Sequence, residues 1–308
     1  MLLAVVAGVL GVLNALAPSQ ALVRLPTVEL LVAADRGGDE LELERVAGRL
    51  GAGRLGVLLA SGARDERVAA LHALALVDDG WARLPEIAHD IFDSDGEVAS
   101  AAAICARRLA ERLTPETRER DEVPVDVPAR AAQELGKAAS QRALAPTLRV
   151  PAIEALAALR GVTRVDDKPL MALLGDGNAD VRRAAAESLW NVPAATEWLT
   201  NALVKDGSAT VAAAAGAALC RDVPLIAPSV KPPAAAALPD QRASKLKEPA
   251  RARLRALALD DNLPLTDRLE LLPCLRVGKQ PADQQTLDTL ARRPPESLRR
   301  LARALGGR

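Results

Sequence analysis

The chain has 308 residues and carries 40 Lys and Arg against 40 Asp and Glu, so its formal net charge is zero. Without a basic excess, the composition gives no reason to expect nucleic acid or an anionic membrane surface as a partner. Apolar residues make up 49% of the sequence, aromatic residues only 1%. Because strands draw on aromatic and β-branched residues, whereas the abundant Ala and Leu favour helices, the composition excludes an all-β fold and indicates an all-α one.

An apolar segment opens the chain. Residues 2–17 are almost wholly apolar and are followed by Pro18 and the small-x-small triplet at 19–21. This order is typical of a signal peptide cleaved before Leu22, although no Lys or Arg precedes the apolar run, and the run is shorter than the ~20 residues that span a membrane. We predict that residues 1–21 are a signal peptide or N-terminal anchor and that the protein is periplasmic or in the cell envelope. The alternative is a cytoplasmic protein whose first helix is buried.

A repeat of about thirty residues is the most informative pattern in the sequence. An Asp stands five residues before a Val, and small residues follow three and four positions after that Val, in three stretches that begin at Asp93, Asp176 and Asp206. The stretch 64–72 is a looser copy, and residues 148–156 align as a fifth.

Each repeat predicts a helical hairpin. The Asp, Gly, Asn and Ser residues before the Val favour a tight turn and offer an N-cap. Apolar and small residues then recur on one helix face, as Val181, Ala184, Ala185, Ser188 and Leu189 do. The stretches 170–174 and 198–204 are the expected partner helices. A single hairpin of this kind cannot bury its apolar face, so the units must stack.

The pattern resembles the HEAT-like repeat family, in the short form of the phycobilisome-lyase type. It is best kept at Asp176, Val181, Arg182, Ala184, Ala185 and Leu189. The resemblance covers about residues 41–221 and implies an α-solenoid of helical hairpins that binds other proteins on its concave face. We expect a C-terminal helical extension beyond it.

Charged and proline-rich stretches divide the array into the expected domains. HEAT-like repeats are predicted at 22–113 and 146–222, a charged Pro-containing linker and helix at 114–145, a Pro/Ala-rich linker at 223–250, and a C-terminal helical region at 251–308. In the last region, the stretch 297–305 is a basic amphipathic helix. We interpret it as the terminal cap of the stack rather than as a contact for an anionic surface.

Two stretches match cofactor or metal motifs only in part. Residues 51–56 read GxGxxG, but a charged helical stretch precedes them where the dinucleotide motif needs a strand, so a turn between helices is the better interpretation. Residues 176–187 mimic a calcium loop, but Val181 stands where that loop needs Gly. His72 and His89 belong to no metal motif. We therefore predict no cofactor, no metal and no catalytic residue.

The cysteines leave one question open. Cys105, Cys220 and Cys274 are widely spaced, with no CxxC. One disulfide with a spare thiol is compatible with this spacing, but the sequence does not pair them.

These features predict a non-catalytic scaffold or adaptor whose partner is another protein. Arg182, Arg183 and Glu187, on the second helix of the best repeat, are the candidate protein-binding surface. One alternative is a lyase-like or chaperone-like accessory protein acting on a protein substrate. Another is a membrane-tethered regulatory domain, in which the N-terminal segment is retained as an anchor.

Overall fold

The structure is a computed structural model, and it describes residues 26–221, 242–278 and 280–306. The predicted signal peptide and most of the predicted Pro/Ala-rich linker lie outside these residues. All regular secondary structure in the described ranges is helical, which confirms the all-α prediction. None of the described helices is long and apolar enough to cross a membrane.

The described residues up to Val165 form one compact unit, and those from Asp166 onward form a second. The helices of the first unit are α1 Pro26–Gly37, α2 Glu40–Ser61, α3 Arg64–Leu74, α4 Leu84–His89, α5 Gly96–Arg112, α6 Pro115–Arg120, α7 Asp126–Ser140 and α8 Pro146–Ala158. Helices α4 and α5 pack as one hairpin, and α7 and α8 as another. The helices α3, α5 and α8 contact each other in a row, and α4 packs against α7 in a parallel row.

The second unit repeats this arrangement. Its helices are α9 Lys168–Leu173, α10 Ala179–Ser188, α11 Thr196–Lys205, α12 Ala209–Cys220, α13 Ala250–Leu259, α14 Leu265–Gly278, α15 Pro281–Leu290 and α16 Glu296–Gly306. They pair in sequence order as hairpins, from α9 with α10 to α15 with α16. The second helices, α10, α12, α14 and α16, form one row, and α11, α13 and α15 form the other.

Small residues allow close packing at the centre of the second unit. Every residue of α12 from Val211 to Cys220 is buried. A side chain at Gly216 would begin 2.8 Å from methyl groups of both Leu254 and Leu271, so any larger residue would force these leucines of α13 and α14 to shift. The predicted basic helix, α16, buries Leu298, Ala302 and Leu305 and packs against α14 and α15.

The turn before the repeat helix has the same geometry in all three clear copies. The first Asp of each copy accepts a hydrogen bond from the backbone N–H two residues further on. Asp93 accepts from Asp95 at 2.7 Å, Asp176 from Asn178 at 2.9 Å and Asp206 from Ser208 at 2.8 Å. This is the turn that Asp favours through its own side chain.

The predicted N-caps are present in two of the copies. Asp95 Oδ1 accepts from the N–H groups of Glu97 and Val98 at the start of α5. Asn178 Oδ1 accepts from Asp180 and Val181 at the start of α10, which gives this residue of the calcium-like stretch a structural role. Ser208 stands at the N-cap of α12 without a side-chain cap bond.

The glycines at 51–56 lie within α2. Gly51 has φ +69° and ψ 163°, which breaks the helix there, so the expected turn between helices is confirmed at this residue. The predicted linker and helix at 114–145 lies inside the first unit and contains α6 and α7. Helix α7 buries Val127, Ala131 and Leu135 and packs against α4 and α8, so this part of the segment belongs to the core.

The structure pairs two of the three cysteines. Cys220, the last residue of α12, forms a disulfide with Cys274 of α14, and their Cα atoms are 5.3 Å apart. Cys105 is a free cysteine buried in α5, where burial raises the pKa of its thiol. The disulfide joins neighbouring second helices of the second unit.

Candidate functional site

Arg182, the first residue of the predicted binding surface, is engaged within the protein. Its Nε and Nη2 donate to the two carboxylate oxygens of Asp206 at 2.7 and 3.0 Å, and its Nη1 donates to the carbonyl of Asp176 at 2.9 Å. Burial of Asp206 opposes its ionisation, but the hydrogen bonds from Arg182 and from the Ser208 N–H outweigh burial and lower its pKa. Arg182 therefore fastens the start of α10 to the turn that precedes α12.

Arg183 and Glu187 are more accessible and lie together. Arg183 Nε donates to Glu187 Oε1 at 2.8 Å, and the two side chains are 40% and 43% exposed. Arg183 also reaches Asp267 of α14, with 3.5 Å between Nη2 and Oδ1. The hydrogen bond to Glu187 raises the pKa of Arg183. Partner binding at Arg183 and Glu187 stays a prediction.

A contact similar to that of Arg182 occurs in the first unit, at a position one residue before the repeat Val instead of one residue after it. Arg67, at the start of α3, donates to Asp93 at 2.6 Å and to the carbonyl of Leu59 at 3.1 Å. The paired Asp follows its Arg by 26 residues here and by 24 in the pair Arg182–Asp206. Sequence reasoning missed this role, although an Arg at the start of a repeat helix with an Asp about one repeat later was the available signal.

A cleft of about 570 Å³ lies in the first unit between the second half of α2, α4 and α7. Its apolar wall includes Leu59 and Pro85, both buried. The volume falls in the range of ordinary ligand sites, ~300 to 1,000 Å³. The sequence analysis did not identify this cleft, because its lining comes from three helices that no local pattern brings together.

Several charged groups of the cleft are already paired. Glu134 accepts from Lys137 Nζ at 2.6 Å and lies 3.6 Å from His89 Nδ1; these partners lower the pKa of Glu134, Lys137 most strongly. Arg130 pairs with Asp126 at 3.3 Å. Arg67 is likewise paired, with Asp93. In this part of the rim, each of these charged side chains therefore has an oppositely charged partner within the protein.

Three charged side chains of the cleft lack such partners. Within the described part of the chain, Arg83, Glu86 and Asp90 make no side-chain hydrogen bond and no ion pair. Burial, as the largest cause, raises the pKa of Asp90; the Arg67 cation partly opposes this shift. Arg83 lies across Gly56 of α2, where a Cβ atom would come within 2.7 Å of its Nε. The glycine therefore leaves the space that the guanidinium occupies.

The cleft offers an apolar wall, one cation and two anions for recognition of a ligand. In the described ranges, no group of three or more His, Cys, Asp and Glu side chains is placed to hold a metal ion. No family model matches the chain, and no curated protein matches it in sequence.

Proposed function

We propose that the protein is a HEAT-like α-solenoid that serves as a non-catalytic scaffold or adaptor for another protein. The observation that supports this most is the order of the hairpins within each unit, where second helices contact each other in one row and first helices in another. The recurring Arg–Asp contacts, Arg67 with Asp93 and Arg182 with Asp206, join successive turns and favour the same interpretation. Stacked hairpins present long, continuous surfaces, which repeat proteins use to bind partners.

The candidate surfaces are the exposed pair Arg183 and Glu187 and the cleft of the first unit. Both carry charged side chains that a partner can reach. Charge complementarity at such positions selects a partner and speeds its association.

We propose that the protein works in the bacterial envelope after export. The N-terminal apolar segment supports this at the level of sequence. The pairing of Cys220 with Cys274 fits this location, because disulfides persist in oxidising compartments and are rare in the cytosol.

In-cell crosslinking of the C-terminally tagged full chain, followed by purification and mass spectrometry, tests the proposed function. We expect one dominant, near-stoichiometric protein partner from the envelope. A scatter of weak cytosolic partners would contradict both the scaffold and the location. Loss of the partner in Glu187→Gln, which leaves the contact of Arg183 with Asp267 in place, would assign the surface.

N-terminal sequencing of the purified chain from fractionated cells tests export separately. We expect a chain that begins at Leu22 in the periplasmic fraction. A cytosolic chain that retains Met1 would overturn the location and leave the scaffold proposal to the crosslinking result.

A further inference from the structure

We propose that the cleft between α2, α4 and α7 is a peptide-binding site that accepts a partner segment carrying both an acidic and a basic side chain. The inference rests on the proposed scaffold function and adds the chemistry by which this cleft recognises its partner.

Arg83 supplies the cationic half of the site. It lies in the short 3-10 helix Gly80–Arg83 and is partly buried, so part of its hydration is lost. No carboxylate of the described chain pairs with it, in contrast to Arg67 and Arg130 on the same cleft. A partly buried guanidinium without an anion is suited to a planar, bidentate contact with a carboxylate.

Glu86 and Asp90 supply the anionic half. They stand four residues apart at α4 and its C-cap, so they are neighbours on one helical face. Burial is the largest cause of the raised pKa of Asp90, and repulsion from the Glu86 carboxylate adds to it. A basic side chain placed between them relieves this repulsion. A divalent cation is a poorer occupant, because Arg83 repels a cation in the same cleft.

The remaining lining favours a peptide over a small ion. Leu59 and Pro85 provide an apolar wall, and exposed Gln133 of α7 provides an amide at the rim. Recognition of an extended segment combines such apolar contact with a few placed polar groups. The cleft is open to solvent, so a segment of a longer chain can reach it.

Fluorescence anisotropy with the full chain and labelled peptides of one Gly/Leu framework tests the proposal. One peptide carries Glu and Lys, the second Glu and Gln, and the third Gln and Lys. We expect the Glu/Lys peptide to bind most tightly. Arg83→Gln should weaken both Glu-containing peptides by about tenfold and should not weaken the Gln/Lys peptide. Asp90→Asn should weaken the two Lys-containing peptides and spare the Glu/Gln peptide.

Two further variants separate the site from general effects. Arg54→Gln removes an exposed cation of α2 that does not line the cleft, and this variant should bind all three peptides with unchanged affinity. Gly56→Ala must displace the Arg83 guanidinium, whereas alanine favours the helix, so affinity for Glu peptides should fall without a loss of stability.

The outcomes distinguish the cleft from the scaffold. Equal binding of the three peptides, no binding of the Glu/Lys peptide, or equal losses for Arg54→Gln and Arg83→Gln would overturn the cleft site. If a stoichiometric partner is crosslinked equally well to Arg83→Gln and to the natural chain, the cleft proposal fails and the scaffold function stands. If no partner is captured at all, the scaffold fails, and the peptide titrations still decide the chemistry of the cleft.

Discussion

Loss of the disulfide between Cys220 and Cys274 is expected to destabilise the second unit by about 4 kcal/mol. The two residues are 54 positions apart in sequence. Closing a loop of this length removes roughly 14 cal/mol/K from the entropy of the unfolded chain, which is about 4 kcal/mol at room temperature. The native state changes little in comparison, because both cysteines remain buried between α12 and α14 when reduced.

Urea unfolding with and without a phosphine reductant measures this effect. In a Trp81→Phe background, the remaining tryptophans are Trp190 and Trp198, both in the second unit, and the chain has no Tyr. Tryptophan emission therefore reports that unit alone. With a slope of about 2 kcal/mol/M, the reductant should lower the urea midpoint by about 2 M and raise the slope, because the uncrosslinked unfolded chain exposes more surface.

Cys105→Ala provides the matched control. Loss of this buried sulfur lowers the stability of the first unit, but the second-unit transition should keep its full dependence on reductant. Thiol titration in urea without reductant should find one reactive thiol per chain, that of Cys105. Three reactive thiols, or a second-unit midpoint that the reductant does not move, would refute the reasoning.

Three further perturbations test the packing and the cleft. Arg182→Ala should lower the free energy of unfolding by about 2 to 3 kcal/mol in a urea titration, because Asp206 stays largely buried without its partner. This loss should shrink in acid, because the folded-state pKa of Asp206 lies below its unfolded value and the stabilisation disappears as the pH falls through the folded-state pKa. A loss of stability that does not depend on pH would contradict the pairing. Gly80→Ala should cost about 2 kcal/mol, because the new Cβ would overlap the Leu74 carbonyl oxygen, and an unchanged Tm would contradict this. Asp90→Asn should be more stable than the natural chain at neutral pH. The raised pKa of Asp90 means that folding favours its neutral form, and the stability that this form contributes is lost as the pH rises through that pKa. The gain in stability should vanish in acid, and equal stability of the two chains at neutral pH would contradict the reasoning.

The local features of the fold could be predicted because they depend on residues close in sequence. The turn at Asp176 and the N-cap at Asn178 involve only the next five residues, so a single repeat contains all of their determinants. The helical break at Gly51 is similar, because only glycine adopts a positive φ there without strain. In these cases, the residues that form the sequence pattern are also the residues that produce the structural feature.

The tertiary contacts could not be predicted in the same way. From the sequence, Arg182 is a charged residue on a helix and would be taken as exposed. Only the packing of α10 against α12 brings Asp206 to it. The pairing of Cys220 with Cys274 likewise depends on α14 lying beside α12. The length of the chain between the two cysteines does not determine which residues of these helices face each other. The cleft needs three helices at once, and its unpaired Arg83 becomes recognisable only when the other cations are seen to have partners.

This difference also bears on where a repeat protein keeps its specificity. Val181, Arg182 and Asp206 are repeat positions whose side chains are already engaged within the stack: Val181 is fully buried, and Arg182 pairs with Asp206. Residues that recognise one partner are free of that constraint. Arg83 and Gly56 meet this condition: both lie outside the repeat pattern, and the guanidinium occupies space that the glycine leaves open. We therefore expect the departures from the repeat to be a better guide to partner recognition in this chain than its most regular segment.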